Sequence, residues 1–179
     1  MSDEEFFDFC QRHDNLRIER ESNGEILIMP PTFSETGRKN FNLIAEFGIW
    51  AKTDGTGIGF DSSTGFTLPN GAVRSPDLSW VKLEIWEKLS ENERKRFANI
   101  SPDFVVELRS ESDNLLPLQD KMEEYIENGV SLGWLIDADK RKVYVYRPNK
   151  EVEILENPTE ISGETLLKGF VLNLKEIWE

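Results

Sequence analysis

The sequence predicts a single domain of the α/β (α+β) class, spanning residues 1–179. The apolar segment 103–109 alternates like a buried strand, and segments 36–52 and 118–128 have the apolar spacing of amphipathic helices. Asn23-Gly24 separates two short alternating segments, which is a strong β-hairpin signal. Strands and helices are therefore both expected to contribute to the core.

In the first half of the chain, a helix and a hairpin precede the long helix at 36–52. We expect this leading part, residues 2–30, to be an elaboration of the domain. Pro30-Pro31 ends the hairpin, because proline removes a backbone donor from the strand. The predicted elements are a helix at 2–13 and strands at 16–20, 25–29, 58–60, 65–68 and 78–81.

In the second half, residues 82–96 are predicted to be helical and charged, with a break near Ser90. Gly129 follows the helix at 118–128 at the position just past its end, where glycine is favoured. The remaining predicted elements are strands at 103–109, 132–137, 142–146 and 151–155, and a closing helix at 171–178.

The net charge of −13 favours solubility and argues against a large non-specific nucleic-acid surface. It does not exclude a metal-dependent nuclease, whose active site must itself be acidic, but such a nuclease needs a local basic patch. Cys10 is the single cysteine, so no disulfide forms within the chain, and we expect a cytoplasmic protein. The acidic N-terminus is not a secretory signal, and no apolar run reaches the length of a membrane span.

A candidate site begins at the strand 103–109. Phe104, Val106 and Leu108 share one face of this strand, while Glu107 and Arg109 share the other. Charged side chains at the end of an apolar strand need partners, a metal ion or water. Two interpretations of Glu107 and Arg109 are therefore open. They form a plain ion pair without a catalytic role, or they belong to a catalytic site.

The tripeptide Ser-Pro-Asp occurs twice, each time before an apolar strand. Its two aspartates are Asp77 and Asp103. Asp103 lies about 13 Å along the strand from Glu107, which is too far to share one metal ion. If strands 77–81 and 103–109 pair antiparallel, Asp77 meets Glu107, although the connection between them also permits the opposite direction. Two carboxylates with a backbone carbonyl make a hard-oxygen site suited to Mg²⁺ or Mn²⁺.

The helix at 118–128 offers two more polar groups. Lys121 and Gln119 lie on opposite flanks of its apolar stripe. Lys121 can extend along the core and present its ammonium group beside the carboxylates. The alternative is an ordinary solvated lysine.

The segments Pro102–Asp113, Lys121–Val130 and Trp134–Asp137 resemble the Uma family of restriction endonucleases, within the PD-(D/E)XK nuclease superfamily. The resemblance extends from about residue 15 to the C-terminus. It implies a restriction-endonuclease-like core, a mixed and mainly antiparallel sheet flanked by helices. It also implies Mg²⁺-dependent hydrolysis of phosphodiester bonds in DNA, by a homodimer because cutting a duplex needs two sites.

The resemblance implies a role for each site residue. Asp77 and Glu107 match the metal-binding acids, and Glu46 matches the extra glutamate that some members place on the first long helix. Arg109 stands where the superfamily has lysine, and arginine cannot deprotonate water because it stays protonated. Lys121 would replace the missing lysine, with Arg109 as a second cation and Gln119 orienting a water molecule or a ligand.

Two other classes of function remain open. An inactive nuclease-like fold that serves as a binding or assembly module is favoured by the net charge and by Arg109, and predicts weak Mg²⁺ binding. A hydrolase that uses Ser110 and His13 is disfavoured, because the sequence has no Gly-x-Ser-x-Gly elbow. Gly55-x-Gly57-x-Gly59 lacks the Lys-Ser/Thr of a phosphate loop, so it is predicted to be a turn.

Overall fold

A computed structural model describes the whole chain, Met1–Glu179. It contains six helices and twelve strands. The helices are α1 (Asp3–Arg12), α2 (Ser34–Asp54), α3 (Leu83–Trp86), α4 (Glu91–Arg94), α5 (Leu115–Glu127) and α6 (Lys175–Trp178). The strands are β1 (Arg17–Arg20), β2 (Ile26–Met29), β3 (Gly57–Asp61), β4 (Phe66–Thr67), β5 (Val73–Arg74), β6 (Leu78–Lys82), β7 (Phe104–Arg109), β8 (Leu132–Asp137), β9 (Lys142–Tyr146), β10 (Glu153–Glu156), β11 (Glu160–Ser162) and β12 (Val171–Asn173).

The central sheet has six strands in the order β10-β9-β8-β7-β6-β3. Strands β7 and β8 are parallel and are joined through α5, while every other neighbouring pair in this sheet is antiparallel. A second sheet has the order β2-β1-β5-β4, and β11 pairs with β12. The predicted mixed, mainly antiparallel sheet with flanking helices is confirmed.

Strand β7 separates two layers of the core, as its alternation predicts. Phe104, Val106 and Leu108 belong to the larger apolar cluster, which α2 covers with Leu43 and Phe47. Val105 faces the other side, in a cluster that α5 covers. Each face of the central sheet therefore carries one helix, and the strand that contains Glu107 is buried between them.

The charged connection between β6 and β7 divides into α3 and α4, and the predicted break at Ser90 is confirmed. The Ser90 hydroxyl accepts the backbone N–H of Glu93, and the Glu93 carboxylate accepts the backbone N–H of Ser90. This reciprocal arrangement is a capping box, which starts a new helix. The helix α5 begins earlier than predicted, at Leu115, and Pro117 is tolerated there because it lies in the first turn.

The predicted closing helix at 171–178 is wrong over its first three residues. Val171–Asn173 is the strand β12, in which only Leu172 is buried, and only Lys175–Trp178 is helical. The partner strand β11 was not predicted, nor was the two-residue strand β5. Strands this short contain too few residues to show an alternating pattern.

None of the helices combines the length and the apolar character needed to cross a bilayer.

Candidate active site

The pairing of β6 with β7 brings Asp77 to Glu107. The two strands are antiparallel, with Leu78 opposite Val106, so the residue before Leu78 reaches the residue after Val106. The Leu108 amide donates a hydrogen bond to Asp77 Oδ2 at 2.8 Å. The structure therefore selects the antiparallel direction, which the sequence left open. Asp103 lies at the other end of β7 and accepts the Lys82 amide instead.

Lys121 lies among carboxylates and not in solvent. Its Nζ atom is 2.9 Å from Glu107 Oε1 and 3.1 Å from Glu19 Oε1. The lysine side chain is only 13% exposed. A cation can be buried to this degree when it is paired with opposite charges. The helix α5, and not the strand β7, therefore supplies the ammonium group beside Glu107.

Glu19 is a member of the site that the sequence did not reveal. It lies in β1 and is 2% exposed. Besides Lys121, its carboxylate accepts the Ser75 amide at 2.9 Å and lies 3.4 Å from Arg74 Nη1. The alternating pattern of β1 is the sequence signal that could have revealed Glu19. In that strand Ile18 faces an apolar cluster, so Glu19 must face the opposite side.

Tyr125 is a second residue whose role was missed. It was interpreted as part of the apolar stripe of α5, and its ring is buried there. Its hydroxyl donates a hydrogen bond to Glu107 Oε1 at 2.9 Å. A buried phenol needs such a partner, so a tyrosine in an apolar stripe was the available signal.

Burial and neighbouring charges set the protonation of the cluster. Burial raises the pKa of Glu107 to about 7; Lys121 opposes this rise, while Asp77 and Glu19 add to it. Burial also raises the pKa of Asp77. Burial alone would raise the pKa of Glu19 as well, but Lys121, the Ser75 amide and Arg74 together lower it. Although burial opposes the charge of Lys121, the carboxylates of Glu107 and Glu19 raise its pKa, so it stays protonated.

A pocket of about 330 Å³ opens over these groups. Asp77, Glu107 and Lys121 line it together with Arg17 of β1. Hydroxyl and amide side chains form much of the remaining wall, namely those of Thr32, Thr36, Asn40, Ser62, Ser110 and Ser112. Asp113 also lines the pocket, and its carboxylate accepts the Ser110 amide. The pocket therefore joins Asp77 and Glu107 with two cations under a polar wall, an arrangement suited to a phosphate group that binds together with a metal ion.

Three predicted site residues lie elsewhere. The Glu46 carboxylate accepts the Asn173 amide at 3.1 Å, next to β12. Thr36 and Asn40 are the α2 residues that line the pocket, and Glu46 lies about 9 Å farther along the axis from Asn40 and about 120° around it. The placement of Glu46 in the site is therefore not supported.

Gln119 and Arg109 also face away from the pocket. Gln119 is about 200° around α5 from Lys121 and lies beside Tyr146 of β9. Arg109 donates to Asp137 at 2.7 Å and to the Asp113 carbonyl, because β7 and β8 are parallel and in register there. The plain ion pair between Glu107 and Arg109, one of the two alternatives for these residues, is not formed: Arg109 pairs with Asp137, and Glu107 pairs with Lys121.

The donor set fits a hard divalent cation that keeps much of its hydration. Hydrogen bonds reach Asp77 Oδ2 and Glu107 Oε1, which leaves the second oxygen of each carboxylate without a donor. No set of three Asp, Glu, His or Cys side chains is placed to hold a metal ion. Mg²⁺ is usually bound by only one or two carboxylates, with water and substrate phosphate completing its shell, so two acids suffice.

Comparisons with known proteins identify the fold and the family. A solved structure described as "a putative nuclease belonging to DUF820 from Anabaena variabilis ATCC 29413" is 22% identical, with a TM-score of 0.75. The match covers 90% of this chain and 89% of that one, and it shows that the two share a fold. A comparison with curated proteins finds no match. The family model Uma2, described as "Putative restriction endonuclease", matches residues 3–175, so the chain belongs to the Uma2 family.

Proposed function

We propose that this protein is a Mg²⁺-dependent endonuclease that hydrolyses phosphodiester bonds in DNA. One observation carries the proposal: Lys121 of α5 lies 2.9 Å from Glu107, beside Asp77 and inside a pocket. The site thus has one acid just before β6, one acid on the paired strand β7, and its cation on the following helix α5. Membership in the Uma2 family and the nuclease-like fold support the same activity.

Asp77 and Glu107 are the proposed metal ligands, and Mn²⁺ is a possible substitute for Mg²⁺. When bound, such a cation lowers the pKa of a water molecule and polarises a phosphoryl oxygen. Glu107 must be ionised to serve as a ligand, and its pKa of about 7 makes that ionisation sensitive to pH near neutrality.

Lys121 is the proposed catalytic cation, in preference to Arg109. Because it stays protonated, it can stabilise the negative charge that develops on the phosphoryl oxygens, but it cannot remove a proton from water. Glu19 and Tyr125 are proposed as positioning residues. Glu19 forms a second ion pair with the lysine, and the Tyr125 hydroxyl donates a hydrogen bond to the Glu107 carboxylate.

Isothermal titration of Mg²⁺ and Mn²⁺ tests the site directly. Wild type, Glu107→Gln and Glu46→Gln are titrated, and the same samples are incubated with supercoiled plasmid. We expect wild type and Glu46→Gln to bind the metal ion and nick the plasmid, and Glu107→Gln to lose both properties. Glu46 is the matched control, because it is a partly exposed glutamate outside the pocket. Metal binding and cleavage that persist in Glu107→Gln would refute the proposed site.

We also propose a homodimer for the cutting of duplex DNA, because each strand needs its own site. Sedimentation velocity measures the oligomeric state directly. A protein that stays monomeric over the concentrations at which it cuts both strands would contradict this part of the proposal.

A further inference from the structure

Phe33 is an exposed aromatic residue at the edge of the charged pocket. It immediately precedes α2, follows the rigid Pro30-Pro31 segment, and is 57% exposed. It lines the same pocket as Asp77 and Glu107. An exposed ring contributes little to the core, whereas beside a site for phosphodiester chemistry it offers a flat surface on which a base can stack.

Arg17 is the cation of the pocket that carboxylates hold least tightly. Its Nη2 atom donates to the Ser75 carbonyl at 3.1 Å and is 3.7 Å from Asp77 Oδ1, which is longer than a hydrogen bond. Its Nε–H group is buried and has no hydrogen-bond partner. Lys121, by contrast, is already paired with two carboxylates. The planar guanidinium group of arginine suits a phosphate oxygen, so Arg17 is the group best placed to bind one.

The shape and charge of the protein favour a single strand over a duplex. Asp77 and Glu107 are largely buried and line a pocket of about 330 Å³, which residues 29–33 also line. A site of this size is more easily filled by one strand than by a duplex. In a duplex the bases are stacked on each other, so a side chain such as Phe33 can stack only on a base that has left the helix. A net charge of −13 also argues against the wide basic surface that binding along a duplex normally requires.

Building on the proposed nuclease function, we infer that the pocket receives single-stranded DNA, with one base stacked on Phe33 and an adjacent phosphate bound by Arg17. Phe33 and Arg17 are then residues that determine substrate specificity. The substrates would be unpaired ends, flaps and loops, each of which one protomer of the proposed homodimer can cut.

Binding is tested first by fluorescence anisotropy with a labelled oligothymidylate and with a duplex of the same length. The buffer contains Ca²⁺ as the divalent cation of the binding measurement, because Ca²⁺ is a hard cation that binds to oxygen ligands. We expect wild type to bind the single strand at least about tenfold more tightly than the duplex. Equal affinity, tighter binding of the duplex, or no binding of either would overturn the inference.

Phe33→Ala tests stacking, with Phe41→Ala as the matched control. Phe41 lies on α2, the helix that Phe33 precedes, is 71% exposed and does not line the pocket. We expect Phe33→Ala to weaken binding of the single strand about tenfold, and Phe33→Trp to restore it, because any aromatic ring offers a stacking surface. Equal effects of Phe33→Ala and Phe41→Ala would overturn the role of Phe33.

Arg17→Gln tests the phosphate contact, with Arg12→Gln as a control that changes the net charge equally. Arg12 is exposed on α1 and lies outside the pocket. We expect Arg17→Gln alone to weaken binding and to reduce the slope of log affinity against log salt by about one. An unchanged slope would overturn the role of Arg17.

Measurements of binding and of cleavage together distinguish this inference from the proposed function. Preference for the single strand with an effect of Phe33, but without any cleavage, would uphold the inference and refute the hydrolytic activity. Glu107-dependent nicking of plasmid without a preference for single strands would uphold the nuclease and refute the inference.

Discussion

At the scale of single residues, Lys121 holds the candidate site together. Its ammonium group lies between Glu107 and Glu19, and both carboxylates are buried. The three groups compensate one another only while all are present. Removing the ammonium group leaves the buried Glu107 carboxylate without a cation and leaves Glu19 with Arg74 alone, which is a costly arrangement.

We predict that Lys121→Met lowers the free energy of unfolding by about 3 kcal/mol at pH 8, the cost typical of breaking a buried ion pair. Urea denaturation measures the change. Lys95→Met is the control: Lys95 pairs with Glu91 on the surface, so its loss should cost less than about 0.5 kcal/mol. Equal effects of the two variants would show that Lys121 is not an essential partner of the buried acids.

We predict that Glu107 makes the folded state less stable as pH rises from about 4.5 to 7. Burial raises its pKa to about 7 in the folded protein, from an ordinary value of 4.5, so the folded state binds more protons than the unfolded state between these values. The free energy of unfolding should fall across this window by roughly 3 kcal/mol from Glu107 alone.

Urea denaturation of wild type and Glu107→Gln over a series of pH values isolates this contribution. The glutamine cannot ionise, yet its carbonyl oxygen can still accept the Tyr125 hydroxyl. The difference between the two curves should change between pH 4.5 and 7 and be constant above pH 7. Parallel curves throughout would contradict the raised pKa of Glu107.

At the scale of elements, the edge strand β3 depends on two glycines that the sequence presents as a turn. Gly57 lies directly under Trp80 of β6, and a Cβ atom there would be 2.2 Å from the indole ring. A Cβ atom at Gly59 would lie 3.1 Å from Phe47 of α2. Gly57 and Gly59 therefore allow large aromatic side chains to pack closely, whereas Gly55, with φ +69, ends α2.

We predict opposite effects for two glycine-to-alanine changes. Gly57→Ala should destabilise the protein by about 2 kcal/mol, because the added methyl group overpacks against Trp80. Gly48→Ala should stabilise it by about 0.5–1 kcal/mol, since Gly48 lies inside α2 with open space around it. Thermal unfolding distinguishes them, and a stabilising Gly57→Ala would contradict the observed packing of β3 on β6.

At the scale of the whole molecule, the net charge of −13 means that like charges within each molecule repel one another above the isoelectric point. Salt screens this repulsion. Any stabilisation by Mg²⁺ must therefore be separated from the general effect of ionic strength before it can be assigned to Asp77 and Glu107.

We predict that NaCl raises the melting temperature of wild type and of Asp77→Asn equally at pH 8. At the same ionic strength, MgCl₂ should raise the melting temperature of wild type further, because a ligand that binds only the folded state stabilises it. Asp77→Asn is a suitable control, since the asparagine carbonyl oxygen can still accept the Leu108 amide. The same extra shift in both proteins would place the bound Mg²⁺ away from Asp77.

Local patterns in the sequence determined most of the elements and the two proposed metal-binding acids, Asp77 and Glu107. Alternation along β7 determined which of its side chains enter the core and which side Glu107 occupies. The turn before β6 drew attention to Asp77, Ser90 marked the start of α4, and Gly129, with φ +104, marked the end of α5. These signals could be read from the sequence because each depends on residues within one or two turns of the chain.

Only the tertiary structure decided which side chains complete the site. It determined the direction of β6 beside β7, turned Arg109 toward Asp137, and placed Glu46 next to β12. It also joined Glu19 to Lys121, which are 102 residues apart in sequence. Such partnerships depend on how the sheets and helices pack against each other, and periodicity along the chain carries no information about contacts over that distance.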